Sequence, residues 1–299
     1  MAPDAELSLR DDARAFADSV AGVLGRLGDL APAWAAGEVS EEPPPAVARA
    51  LEELGWSALG GDPELVAFAG LGAVELGRRL GPLAAIDGLL DGAPAVGDLV
   101  RTPVTDGVAL FAVGDEIVRR SVLRSEPLAS ADGLCVHRLL ELGDGEPVDA
   151  DGWPVALDAW LAASVGYLAG VGQGALELTV DYVRQRRAFG TTLAALAPVQ
   201  QLLAGAATAV RGVTLLAGAG LAGERLAAER LAGDGPGRDA LAHAGPAIAE
   251  ACAACQQVSG AIGYTLEHPL HRFTQRARAL SAWNDALLQW LLRPAGAAL

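Results

Sequence analysis

Apolar residues recur at three- and four-residue intervals along most of this chain, and those intervals mark out its elements. From residue 6 to 29 the apolar positions Leu7, Leu9, Ala15, Phe16, Val20, Val23, Leu24 and Leu27 stand among charges, which predicts an amphipathic helix. An acidic, proline-rich connection from Glu38 to Pro45 follows. Residues 46–60 predict a short second helix that stops at Gly55-Trp56, and Gly60-Gly61-Asp62-Pro63 predicts a turn. A third helix is expected over about 64 to 80, with Pro82 as its stop. The period then changes, and 106–113, 116–123 and 134–142 are short β-like runs separated by Gly, Asp and Pro. From Pro154 the helical period returns, over roughly 155–187, 196–231, 236–258 and 269–292. Pro154 is placed to open the first of these, with Asp158 expected in its first turn. Four helices joined by short links predict an antiparallel bundle. The pattern thus predicts a mainly α protein: an N-terminal helical domain over 1–95, a small β domain over 96–153 and a C-terminal four-helix bundle over 154–299.

Composition supports helices over sheet. The 299 residues are 52% hydrophobic but only 5% aromatic, and Ala and Leu dominate. A net charge of -15 argues against nucleic acid as a partner, although a local cluster of arginines still suits an anionic ligand. All 22 basic residues are arginine, which reads as a genomic bias. Cys135, Cys252 and Cys255 do not make a disulfide framework and fit a reducing, cytoplasmic compartment. The acidic start of the chain lacks the basic and apolar regions of a signal peptide. Residues 188 to 210 carry no charge and are long enough to span a bilayer. Gly190, Pro198, Gln200 and Gln201 interrupt that run, so a buried helix in an all-helical core is expected instead of a membrane span.

Candidate chemistry centres on residues 176 to 203. A helical run ends in Tyr182, Arg184, Arg186 and Arg187, and Phe189-Gly190 breaks it. Gly190 suits a helix C-terminus, where a left-handed residue costs little, and the arginines suit the last turn, where the helix dipole favours cations. Spacing alone reads as a helix hairpin with a solvated basic end. Glu267, His268 and His271 lack a plausible third ligand pattern, so no metal site is expected. Cys252-x-x-Cys255 lies within an alanine-rich helix and reads as core packing.

Arg186-Arg187-Ala188-Phe189-Gly190, followed by Val199-Gln200 and Leu203-Ala204, resembles the Arg-x-x-Phe-Gly segment of the acyl-CoA dehydrogenases. Gln257-Val258-Ser259-Gly260-Ala261-Ile262-Gly263-Tyr264 is similar to that family's Gln-x-x-Gly-Gly-x-Gly-Phe/Tyr segment, with Ala261 in place of the second glycine. Leu54-Gly55-Trp56, Pro63-Glu64 and Glu75-Leu76-Gly77-Arg78 resemble its N-terminal helical domain.

The resemblance implies a fold with an N-terminal helical domain, a middle β domain and a C-terminal bundle where subunits associate. It also implies an activity, α,β-dehydrogenation of an acyl-CoA thioester with FAD as hydride acceptor. In that family the two motifs hold the pyrophosphate and adenosine of a neighbouring subunit's FAD, which makes Arg186, Phe189, Gln257, Gly260 and Gly263 the implied cofactor-binding residues. The middle domain here is about half the family's size, and the Thr-Glu-x-x-x-Gly-Ser-Asp and Trp-x-Thr/Ser-Asn elements that hold the flavin ring are missing. The family's common base position falls at Asn284, and an amide cannot abstract a proton. Its other base position falls near Trp160, so Asp285 and Asp158 are the neighbouring acids and the catalytic candidates. These departures are those of the shortened subunit of a two-subunit enzyme. A full-length acyl-CoA dehydrogenase partner, in a heterotetramer, then carries the flavin and the base. The family's two-subunit members act on steroid side-chain thioesters, which suggests a bulky acyl group. A catalytically inert structural partner and a flavin-dependent acyl-thioester oxidoreductase of a biosynthetic pathway stay open as alternatives.

Overall fold

The computed structural model describes residues 3–28, 30, 33–35, 38–40, 45–102, 107–113, 116–128, 133–149, 151–219 and 236–290. Its helices are α1 (Pro3–Arg26), α2 (Pro45–Glu53), α3 (Val66–Arg78), the single turn α4 (Ala84–Asp87), α5 (Trp153–Gln185), α6 (Ala197–Gly218), α7 (Pro236–Ser259) and α8 (Leu270–Trp290). Helix α3 follows a turn in which the Asp62 carboxylate accepts the Glu64 N–H at 2.9 Å, so the Asp62-Pro63 signal does start an element. Helix α5 begins at Trp153, with Pro154 in its first turn, where its missing N–H costs nothing. Asp158 therefore falls in the second turn of α5, not the first as expected, and beyond the N-terminal amides a carboxylate would cap.

Between α4 and α5 the chain forms a five-stranded sheet in the order β3-β5-β6-β7-β4. Its members are β3 (Ala93–Pro94), β4 (Leu99–Val100), β5 (Val108–Val113), β6 (Glu116–Pro127) and β7 (His137–Pro147), and a separate hairpin pairs β1 (Ala33–Ala35) with β2 (Glu38–Ser40). Apart from the parallel β3–β5 pair the sheet is antiparallel, and the long β6–β7 pair shifts register three times between Arg120 and Ser125. Its own small core holds Ala93, Ala95, Val100, Ala109, Val122 and Leu139. Mainly helical, with one reduced sheet, this is the architecture the residue pattern predicts.

Helix α5 is the centre of the molecule, with every residue from Ala159 to Gly172 buried. Helix α3 packs against it through glycines. A Cβ added at Gly77 would strike the Tyr167 carbonyl oxygen, one at Gly166 that of Gly70, and one at Gly170 that of Val74. Small residues four apart on α5 thus let two backbones meet without side chains between them. The seam is fastened where the Arg78 guanidinium donates to Glu177 at 2.9 Å and where the Tyr167 hydroxyl donates to the Gly81 carbonyl at 2.7 Å. Gly77→Ala is expected to push α3 and α5 apart and to cost about 1–3 kcal/mol, the range for overpacking a close-packed core. A urea unfolding midpoint unchanged from wild type would show the seam to be slack.

Helices α5, α6, α7 and α8 make the bundle. Residues 188–210 are not the buried helix that their lack of charge suggested. Residues up to 196 form a hairpin and a turn, and α6 then buries only Ala206, Val210, Val213 and Ala217. Of its most apolar window 22% is buried, against 78% for α5, and Leu215 and Leu216 face outward. Both helices are long and apolar enough to cross a membrane, but α5 carries its hydropathy as a core helix. One stripe of α6 meets α5, α7 and α3, while its other faces are uncovered among the described residues. The extension of this helix expected over 220–231 lies outside the described residues.

Candidate functional site

The arginine corner is a tight β-hairpin. Helix α5 stops at Gln185, and Arg186 turns extended (φ -70, ψ 127) while its N–H still donates to the Tyr182 carbonyl at 2.9 Å. Strand β8 (Arg187–Ala188) then pairs with β9 (Thr191–Thr192), leaving Phe189 and Gly190 as the two-residue turn. Both have positive φ, +56 and +82, the backbone of a type I′ hairpin turn. Gly190 therefore does not end the helix as expected. It is the second turn residue, and the chain leaves α5 through an extended Arg186 instead of a left-handed glycine. Phe189 holds a left-handed conformation unusual for a side-chain-bearing residue and is 92% exposed. An apolar ring held strained in solvent is a feature of sites, because nothing inside the chain rewards it.

The guanidiniums differ in occupation. Arg187 donates to the Gly190 carbonyl at 3.2 Å and braces the turn, and Arg184 lies 3.9 Å from Asp181 with both side chains exposed. Arg186 is exposed, and its side chain reaches no hydrogen-bond or salt-bridge partner among the described residues. It does not cap the last carbonyls of α5, so its fork is available to a ligand.

The second motif lies at the same end of the bundle. Helices α5 and α7 end there and α6 and α8 begin there, and the edge of the Tyr182 ring meets the His268 ring at 5.9 Å. After Ser259 the chain turns through Gly260 (φ +68) into a short 3-10 segment, Gly260–Tyr264. Gln256 is buried and donates to the Gly263 carbonyl at 3.1 Å, which leaves Gln257 outward and exposed. Gly263 is buried under that contact, where an added Cβ would sit 3.1 Å from the Ser259 side chain. Gly260, by contrast, is exposed with open space around it. Tyr264 and Leu266 are also largely exposed here. Beside this end an open cavity of about 360 Å³ is lined by Arg78, Arg79, Glu177, Asp181, Arg272 and Phe273, among others.

The histidines of the link are structural. Nδ1 of His268 accepts the Leu270 N–H at 3.3 Å at the start of α8, and Nδ1 of His271 lies 2.7 Å from the His268 carbonyl oxygen. Burial, and secondarily the neighbouring His271, hold the His268 pKa below its ordinary value. Among the described residues no three acidic, histidine or cysteine side chains are grouped to hold a metal ion. Cys252 and Cys255 are buried free thiols whose pKa values are pushed up chiefly by burial, as core packing predicts.

Trp160 and Asn284 each hydrogen-bond to one member of a buried ion pair. The Arg101 guanidinium donates to Asp87 at 2.7 Å through Nη2 and at 3.3 Å through Nε. The Trp160 indole N–H donates to the same carboxylate at 3.0 Å and the Thr102 hydroxyl at 3.3 Å. Nη1 of Arg101 donates to the Asn284 side-chain oxygen at 3.4 Å, and the guanidinium carbon lies 5.4 Å from the centre of the Trp160 ring. All five residues are buried, Arg101 to 1% and Asp87 to 3% relative exposure. Asn284 and Trp160, which the sequence could only name separately, thus meet at one cluster. The two acids beside them do not join it: Asp285 is exposed and Asp158 is half-buried. Asp87 and Arg101 went unread because each is a single charge among apolar residues, with no spacing that marks a partner.

Residues 150–284 match the family model of the acyl-CoA dehydrogenase C-terminal domain. A search of curated proteins by sequence finds no match. Among solved structures, a variant of the Tcur3481–Tcur3483 steroid acyl-CoA dehydrogenase superposes with a TM-score of 0.64 at 18% identity, over 96% of each chain. The ChsE4–ChsE5 complex from Mycobacterium tuberculosis gives a TM-score of 0.62 at 20% identity, over 97% of this chain and 96% of that one. Glutaryl-CoA dehydrogenase from Mycobacterium smegmatis in complex with FADH2 gives 0.62 at 14% identity, over 91% of this chain and 90% of that one. Residues 150–284 thus match an acyl-CoA dehydrogenase C-terminal domain, in a chain whose fold is that of the acyl-CoA dehydrogenases.

Proposed function

We propose that this protein is a subunit of a heteromeric, FAD-dependent acyl-CoA dehydrogenase and completes the flavin site of a full-length partner. The observation that carries the reading is the exposed guanidinium of Arg186, without a hydrogen-bond or ion-pair partner among the described residues, standing beside a strained hairpin at the bundle end where Gln257 and Gly260 are also exposed. The donor set fits a diphosphate. A planar guanidinium grips two phosphate oxygens at once, the Gln257 amide both donates and accepts, and Gly260 lets backbone come close to a ligand. Gly263 serves the same motif from beneath, holding the turn through Gln256. When bound, FAD supplies the acceptor for the hydride that leaves the β-carbon of the acyl thioester. The residues of this chain hold one end of that cofactor and present no carboxylate at the positions of the base.

A partner subunit is further supported by the outward faces of α6, where Leu215 and Leu216 are exposed among the described residues. Two of the similar structures carry paired protein names, and one of these is named a steroid enzyme. A bulky acyl-CoA, a heterotetramer and a cytoplasmic location belong to the same proposal. The test is to purify the chain alone and together with the product of a neighbouring reading frame, and to record the flavin spectrum of each. Alone it is expected to be colourless and inactive, and the co-purified complex yellow. A yellow, active homo-oligomer of this chain overturns the proposal and returns attention to Asp158 and Asp285.

A further inference from the structure

We propose that the open cavity below the end of α3 is a binding site for a small amphipathic carboxylate, an anion with a short apolar body, recognised by Arg79. The cavity, about 360 Å³, is of ligand size and lies where the residues after α1 and α3 meet α5 and the start of α8. Its lining has two characters. Leu30, Leu80 and Phe273 are buried apolar groups, while Arg79, Glu177 and Asp181 bring charge to the same space.

Arg79 is half-buried, and its guanidinium makes no hydrogen bond or ion pair among the described residues. Its Nε is buried without an acceptor, a costly state for a charged donor that an anion in the cavity would relieve. A place at a helix end does not account for it. The dipole of α3 favours a cation there, but Leu76 already accepts the Gly81 N–H at 2.8 Å and Gly77 the Leu80 N–H at 3.0 Å. The carboxylates nearby serve Arg78 instead, with Glu177 at 2.9 Å and Glu75 at 3.5 Å. The Arg79 fork also lies close against α1, where a Cβ added at Gly25 would sit 3.4 Å from Nη2.

Charge and shape select the ligand. A carboxylate matches a planar guanidinium through two parallel hydrogen bonds. Glu177 and Asp181 line the same cavity and oppose a dianion such as phosphate more than a single carboxylate. Leu30, Leu178 and Phe273 offer an apolar body the cover that a bare anion cannot use.

The test is hexanoate binding to the full-length chain, followed by calorimetry and saturation-transfer NMR. Two further probes, 1-hexanol and inorganic phosphate, each keep one half of the chemistry. Hexanoate is expected to bind one to one with a Kd of about 1 mM or tighter, and the other two about tenfold more weakly or worse. Arg79→Gln is expected to weaken hexanoate about tenfold to a hundredfold, through the loss of charge-assisted hydrogen bonds, and to leave hexanol unchanged. Leu178→Trp narrows the cavity while keeping the guanidinium, and is expected to abolish hexanoate binding in a chain of native melting behaviour. Arg124→Ala, which removes an exposed guanidinium of the sheet, is expected to change nothing. Wild type that does not bind hexanoate at about 10 mM overturns the proposal. So does unchanged hexanoate affinity in folded Arg79→Gln or folded Leu178→Trp, and so does phosphate binding more tightly than hexanoate. None of these readouts needs flavin or a partner subunit, so their failure leaves the subunit proposal intact.

Discussion

Arg101→Ala is expected to destabilise this protein by about 3–5 kcal/mol, because it strands the buried Asp87 carboxylate with, among the described residues, the Trp160 and Thr102 donors beside it. The intact pair is a different quantity from the loss on breaking it. Taking both charges out of water has already offset much of their attraction, so Asp87→Leu with Arg101→Met is expected to be near neutral, as replaced buried pairs often are. The cation–π contact with Trp160 is expected to contribute about 0.5–2 kcal/mol, too little to account for the single-variant loss. Urea unfolding of wild type, Asp87→Leu, Arg101→Met and the double variant decides the matter. The expected signature is a double variant far more stable than the sum of the single losses, with unchanged m-values. Single variants within about 1 kcal/mol of wild type, adding independently, would mean that water reaches the pair.

Arg186→Ala is expected to lower the FAD affinity of the complex about tenfold to a hundredfold. It removes charge-assisted hydrogen bonds that contribute about 1.5–3 kcal/mol, and each 1.4 kcal/mol is a factor of ten. Arg186→Lys is expected to restore only part of this, since one ammonium cannot copy a planar fork. Gln257→Ala is expected to weaken FAD more mildly, through the loss of a neutral hydrogen bond. Arg184→Ala, which removes only an exposed 3.9 Å pair with Asp181, is expected to do almost nothing. The measurement is FAD titration of the co-purified complex, with assembly followed separately by size. Unchanged affinity for Arg186→Ala in an intact complex would end the cross-subunit reading. Stability of the chain itself is expected to change little, because the Arg186 side chain touches no described partner.

Much of the fold was legible because burial on one face leaves a period. The apolar spacing of 6–29 marks α1, Asp62-Pro63 and Pro82 bracket α3, Pro154 lies in the first turn of α5, and the β-like runs at 106–113, 116–123 and 134–142 overlap β5, β6 and, over 137–142 alone, β7. Arg186 and Gln257 were legible as motif positions, and the structure adds that both are exposed at one end of the bundle.

Other features had no signature in the chain. Phe189-Gly190 reads as a helix stop, yet pairing between Arg187–Ala188 and Thr191–Thr192 made it a hairpin turn and put Phe189 at positive φ. The uncharged run into α6 reads the same whether its apolar faces meet this chain or are left outward, since composition records hydrophobicity and not what covers it. Gly77 and Gly166 carry no sign in the sequence of the two backbones that meet there. Furthest from view was the cluster of Asp87, Arg101, Trp160 and Asn284. What the sequence determined by itself was the set of helices and strands and the two motifs at their ends, because periodicity and turn chemistry act between near neighbours. Only the tertiary structure decided that a guanidinium and a carboxylate would fill the space between Trp160 and Asn284. Those groups come from four elements brought together by packing, and a charge in a sequence carries no record of its distant partner.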